Sequence, residues 1–96
     1  YLSPEERQAA LVAPGALALA RRMVELQGIR DAGCLKGELE RYIGRTPQVR
    51  IDYIAVADYE TLEMLTEIDR PALLLLAVRV GSTRLIDNAT LVPRSP

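Results

Sequence analysis

Arginines 79 and 84 form the sharpest chemical pairing in this 96-residue sequence. If Gly81-Ser82 is the two-residue turn of a hairpin, Val80 faces Thr83 and Arg79 faces Arg84, which sets two guanidinium groups side by side on neighbouring strands. Like charges so placed repel, and three things can offset the cost: a nearby carboxylate, full hydration, or an anionic ligand such as a phosphate. Pairing with Asp52, Asp58 or Asp87, or plain solvation, is favoured over an anion site. Other reactive groups are sparse. The chain has no histidine, which removes Ser-His-Asp, Cys-His and imidazole-based zinc mechanisms from what it can assemble alone. Its one cysteine, Cys34, follows a candidate helix cap at Asp31, and helix N-termini favour thiolates. With no base to serve it, a buried or incidental thiol is the simpler reading. Thirteen carboxylates could supply an acid and base pair, but such residues mostly keep a surface wet. The glycines at 15, 28, 33, 37, 44 and 81 are dispersed, have capping or turn explanations, and match neither G-x-x-x-x-G-K-[ST] nor G-x-G-x-x-G. Asp87 and Asn88 read as backbone hydrogen-bonders at a sheet edge. No catalytic, cofactor-binding or metal-ligating residue is therefore assigned.

The elements that must carry these residues follow from pattern. Ser3-Pro4-Glu5-Glu6 is a capping-box start for a helix from about Pro4. Pro14-Gly15 should break or kink it, because Pro14 lacks an N–H and its ring clashes with the preceding turn. Ala16, Leu19, Ala20, Met23 and Leu26 then form one face of a second helix that ends near Gly28. Asp31 caps a third, with Leu35, Leu39, Tyr42 and Ile43 inward and Gly44 and Pro47 closing it. The spacing of Gly33 and Gly37 resembles a membrane packing motif, but its charged surroundings argue against that role. From Val49 the period becomes two, the mark of a strand. Asp58 to Glu67 returns to helix-like spacing, with Leu62, Leu65 and Ile68 inward and Asp58 placed to cap a short turn that bridges to the next strand. Residues 73–80 and 83–92 complete the hairpin across Gly81-Ser82. Helices followed by antiparallel strands predict an α+β domain: a three-stranded antiparallel sheet with helices packed on one face and the Leu-rich strand at its centre.

Composition bounds the rest. A chain this short makes one domain. Twelve basic against thirteen acidic residues give a net charge of -1, so no uniform field holds nucleic acid or an acidic membrane. The longest apolar stretch, residues 72–78, falls well short of the ~20 residues a membrane-spanning helix needs. A lone thiol suits a reducing compartment, and the expected setting is cytoplasmic. The sequence starts with Tyr1 rather than Met, from which an upstream segment is expected. Leu91-Val92-Pro93-Arg94 matches the amino-terminal side of a thrombin-type cleavage sequence, so residues 93–96 are set apart as a tail of vector or native origin and residues 1–92 as the domain.

Four ordered segments then resemble one family. Tyr1-Leu2-Ser3-Pro4-Glu5-Glu6-Arg7, Ile51-Asp52-Tyr53 with Asp58-x-x-Thr61-Leu62, Arg70-Pro71-Ala72, and Gly81-x-Thr83-Arg84-Leu85-Ile86-Asp87-Asn88 look like the C-terminal domain of the pantothenate synthetase family. Residues 28–48 match it only in pattern. The resemblance implies an enzyme, homodimeric and cytoplasmic, that uses ATP and Mg²⁺ to convert pantoate to a pantoyl adenylate, releases pyrophosphate, and passes the acyl group to β-alanine. In that family a Rossmann-like N-terminal domain carries the histidine-containing nucleotide signature, both substrate pockets, and a Ser-Ser-Arg-Asn segment that contacts ATP. This sequence contains none of them. What the resemblance leaves for residues 1–92 is a lid that gates the nucleotide site without making bonds. Such a piece is expected to be inactive alone and to bind neither ATP nor Mg²⁺. Arg79 and Arg84 are candidates for facing phosphates on closure, a role that the family motif does not assign. The alternative is a free-standing α+β interaction module with no catalysis, recognising a partner through a sheet face or edge.

Overall fold

Ser3 opens the first helix through its side chain: its Oγ accepts the Glu6 N–H at 3.1 Å, and Glu6 Oε1 accepts the Ser3 N–H at 2.9 Å. Helix α1 (Pro4–Ala10) follows. The computed structural model describes residues 2–94, so Tyr1 and the end of the tail, Ser95 and Pro96, lie outside the described residues. The expected break comes earlier than Pro14-Gly15. Helix α1 stops at Ala10, and α2 (Val12–Arg21) begins after Leu11. The reason is that a proline acts on the residue four before it, here Ala10; by breaking there, the chain seats Pro14 in the first turn of α2, where its missing N–H costs nothing.

Helix α2 runs into a π-turn, Arg22–Leu26, in which the Gln27 N–H donates to the Arg22 carbonyl at 3.0 Å. The wider turn advances the phase of the buried stripe. Ala16, Ala20 and Met23 are inward as expected, but the stripe continues on Val24, and Leu26 is 68% exposed. Gly28, in the left-handed region, ends the segment while the Ile29 N–H donates to the Met23 carbonyl at 2.9 Å. Helix α3 (Ala32–Gly44) starts at Asp31, whose carboxylate accepts the Cys34 N–H at 2.8 Å. It buries Leu35, Leu39 and Ile43 and half-buries Tyr42.

The strands are β1 (Val49–Asp58), β2 (Ala72–Val80) and β3 (Thr83–Leu91), antiparallel in the order β1-β2-β3. This is the expected α+β fold with the Leu-rich strand central. The hairpin closes at Gly81-Ser82 with φ +62° at Gly81 only, the Gly-first turn whose twist suits paired strands. Helix α3 lies against β1 and α2 against β3, so one face of the sheet is covered. On that face Ala72, Leu74, Leu76, Val78 and Val80 are fully buried with Val56 and Leu91. The other face carries Leu73 and Leu75, which are half-buried and meet no helix.

Asp58 caps a short turn as expected, but the helix-like spacing over Asp58 to Glu67 does not carry on as a helix. Asp58 Oδ1 accepts the N–H groups of Glu60 and Thr61 at 2.8 and 3.0 Å, and the Leu62 N–H reaches the Asp58 carbonyl at 2.9 Å, which makes one turn. Leu62 then takes φ 63°, a conformation no helix propagates, and the chain folds back along the free edge of β1. There the Asp58 N–H donates to the Glu63 carbonyl at 2.8 Å and the Leu65 N–H to the Val56 carbonyl at 2.9 Å. Leu62 is consequently exposed, Leu65 is half-buried, and Ile68 is buried as expected.

The one-sided burial of β2 gives a testable contrast. Leu74→Ala should cost about 3 kcal/mol of unfolding free energy, within the range for truncating a fully buried leucine, and Leu75→Ala less than half of that. Urea denaturation of the two variants checks it, and equal losses would contradict the assignment of faces.

Candidate functional site

Three arginines stand in one row across the helix-free face. Strand pairing sets Arg50 opposite Arg79 and Arg79 opposite Arg84. Neighbouring strands are about 4.8 Å apart, so the three side chains leave the sheet close together. One carboxylate answers them. The β1–β2 register shifts between Ile51 and Tyr53, leaving Asp52 as the extra residue of a β-bulge. From there Asp52 Oδ1 accepts from Arg79 Nε at 3.3 Å, and Asp52 Oδ2 from Arg84 Nε at 2.7 Å. The hydrogen bond from Arg84 is the main reason that the Asp52 carboxyl is held below the usual carboxylate range; the charge of Arg79 adds to it and partial desolvation opposes it. The Arg84 guanidinium also lies 6.0 Å from the centre of the Tyr53 ring, at the outer reach of a cation–π contact.

The Arg79–Arg84 juxtaposition inferred from the hairpin is present, and of the three carboxylates considered for it, Asp52 is the partner. Asp58 instead holds its own turn and accepts from Arg70 Nη1 at 3.5 Å. The backbone amides of Thr61 and Glu60 are the chief cause that keeps its carboxyl below the usual range. Asp87 accepts the Asn88 N–H at 2.8 Å, a backbone bond of the kind expected on an edge strand. Cys34 is exposed, which makes it incidental rather than buried. Arg50 escaped the sequence reading because its place depends on how β1 registers against β2, a pairing across a long loop that no local spacing reveals.

Two guanidinium groups engage through Nε, and their terminal nitrogens make no hydrogen bond among the described residues. Among the described residues Arg50 meets no carboxylate within ion-pair distance. The row therefore carries three positive charges against one negative charge. It can hold an anion by charge-assisted hydrogen bonds, and its one carboxylate, Asp52, is already engaged by Arg79 and Arg84. Among the described residues no three His, Cys, Asp or Glu side chains gather as a metal site. A groove of about 420 Å³ lies on the helix side between α1 and the end of α3, lined by Glu5, Gln8, Leu11, Tyr42, Arg45 and Gln48.

The family described as pantoate-beta-alanine ligase matches residues 1–90. This chain belongs to that family. It is 50% identical over 92 residues to the pantothenate synthetase of Rubrobacter xylanophilus, covering 95% of this chain and 31% of that protein. It is 46% identical over 88 residues to the pantothenate synthetase of Syntrophus aciditrophicus, covering 92% of this chain and 30% of that protein. Its fold is similar to the crystal structure of pantothenate synthetase from Thermus thermophilus, with a TM-score of 0.84 at 36% identity, over 97% of this chain and 33% of that one. The chain thus spans about a third of the length of the ligases it matches.

The Asp52 bridge predicts an acid-side effect. Because its carboxyl titrates lower in the folded chain than the ordinary value of about 3.9, the native state binds fewer protons than the unfolded state as pH falls below about 4. Its contribution to stability is therefore full above that value and is lost as pH falls through the native one. Asp52→Asn should lower the urea midpoint at neutral pH, with the gap to the parent closing as pH falls below about 4. A gap that stays constant through acid would show that the ion pairs contribute nothing.

Proposed function

We propose that residues 1–92 are the closing domain of a full-length pantoate–β-alanine ligase, a unit that covers the reaction site without supplying a reacting group. The observation that carries this reading is the pairing of a family match over residues 1–90 with relatives about three times as long. The lack of any histidine in the sequence fits a unit that leaves the chemistry to other parts of the enzyme. The complete enzyme joins pantoate to β-alanine with ATP, through a pantoyl adenylate, and releases AMP and pyrophosphate. ATP, pantoate and β-alanine bind to the remaining two-thirds, and the homodimer contacts belong there too. The donor set here does not fit Mg²⁺, so no step of this domain runs through it. As a biosynthetic enzyme the ligase works in the cytoplasm; no helix among the described residues is long and apolar enough to cross a membrane.

The reason for a closing domain is chemical. An acyl adenylate is a mixed anhydride that water, a weaker nucleophile than an amine but far more abundant, hydrolyses in competition with β-alanine. A cover that excludes water until β-alanine arrives raises the fraction of adenylate that becomes product. This domain contributes burial and positioning, and the bond-making groups lie elsewhere.

Incubating the chain alone with ATP, Mg²⁺, pantoate and β-alanine should yield no pantothenate, and measurable turnover would overturn the reading. In the full-length ligase, removing this domain should raise the AMP released per pantothenate formed well above one, because uncovered adenylate hydrolyses. A ratio that stays at one would refute the water-excluding role.

A further inference from the structure

The face of the sheet that the helices leave bare is apolar, and the arginine row borders it. Its rows follow from the strand register: Arg50, Arg79 and Arg84; then Tyr53, Ala77 and Ile86; then Ala55, Leu75 and Asn88; then Ala57, Leu73 and Thr90. The returning loop adds Met64, which pairs with Ala57 at the β1 edge. Tyr53, Ile86 and Met64 are 40%, 62% and 67% exposed, whereas Ala57 and Ala77 between them are fully buried. Large, exposed apolar side chains thus share this face with buried alanines. An apolar sheet face of this kind is normally covered by a second layer.

We propose that this bare face is the one that closes on the remaining two-thirds of the ligase, with Arg50, Arg79 and Arg84 turned toward the phosphates of the bound nucleotide. The inference rests on the closing-domain reading and adds to it which side of the domain faces inward. Two observations select the occupant. The relatives carry twice as much chain again as is present here, which is enough polypeptide to supply the missing layer. The excess positive charge is gathered at one end of the face, where a polyphosphate meets it with complementary charge and the terminal guanidinium nitrogens remain to donate. The helix side exposes Leu11 and Leu26, but most of its large apolar side chains fill the core.

Thiol labelling of the full-length ligase, resolved peptide by peptide by mass spectrometry, tests this. Ile86→Cys and Met64→Cys report the bare face, and the native Cys34, exposed on α3, reports the helix side. With ATP and pantoate bound, the two introduced thiols should label at least tenfold more slowly than in the free enzyme, while Cys34 keeps its rate. Equally strong protection with and without ligands also supports the bare face as the docked one, but removes the closing motion. If Cys34 slows and the introduced thiols do not, the domain closes helix side inward and the inference fails while the closing-domain reading stands. If no position is protected in either state, both fail.

Discussion

The central strand must lose its water before any other part of this chain can hold its place, because the core contains no Phe or Trp and takes its apolar area from Leu, Val, Ile and Ala. Small and branched side chains yield that area only when they are packed completely. Strand β2 achieves this on one side, where Leu74, Leu76, Val78 and Val80 reach full burial beneath α2 and α3. Much else follows from where those helices must lie. The π-turn rotates Val24 into the core, the Gly28 cap turns the chain toward α3, and the loop after Asp58 returns along β1 with Ile68 buried.

The same burial explains why the arginines stand together. A like-charge pair across two strands costs at most about 1 kcal/mol, whereas burying a single Val or Leu contributes about 1.5–3 kcal/mol. A register that buries Val49, Val78 and Val80 at once prevails over any register chosen to separate Arg50, Arg79 and Arg84. Charge accumulation is thus a by-product of apolar packing, and Asp52 moderates it locally without cancelling it.

Features decided by neighbouring residues were legible in the sequence. The Ser3 and Glu6 capping box, the Asp31 cap and the Gly81-Ser82 turn each depend on groups a few bonds apart, and the facing of Arg79 and Arg84 follows from the turn alone. Features decided at a distance were not. The short turn capped by Asp58 is local and was legible, but the end of the helix-like spacing beyond it was not; pairing along the β1 edge and the left-handed Leu62 made that choice. Leu26 obeys helical periodicity up to a π-turn that has no residue signature. The run of leucines in β2 reads as apolar on both sides, and only the placement of α2 and α3 shows that half of it lacks a cover. Family membership was legible for a different reason, since four short segments in order suffice for it while Arg50, the third member of the row, belongs to none of them.

Asp52 has no counterpart on β2. Strike it out, and Ile51 meets Tyr53 in unbroken in-and-out alternation, with all the remaining rungs of the strand unchanged. Strand β1 therefore carries one spare residue, dispensable to its hydrogen-bonded ladder. What would miss it are the cations overhead, which without it would confront one another across bare solvent. A fold of this kind can gain or shed a counter-charge by changing its length by one, with no change to its interior.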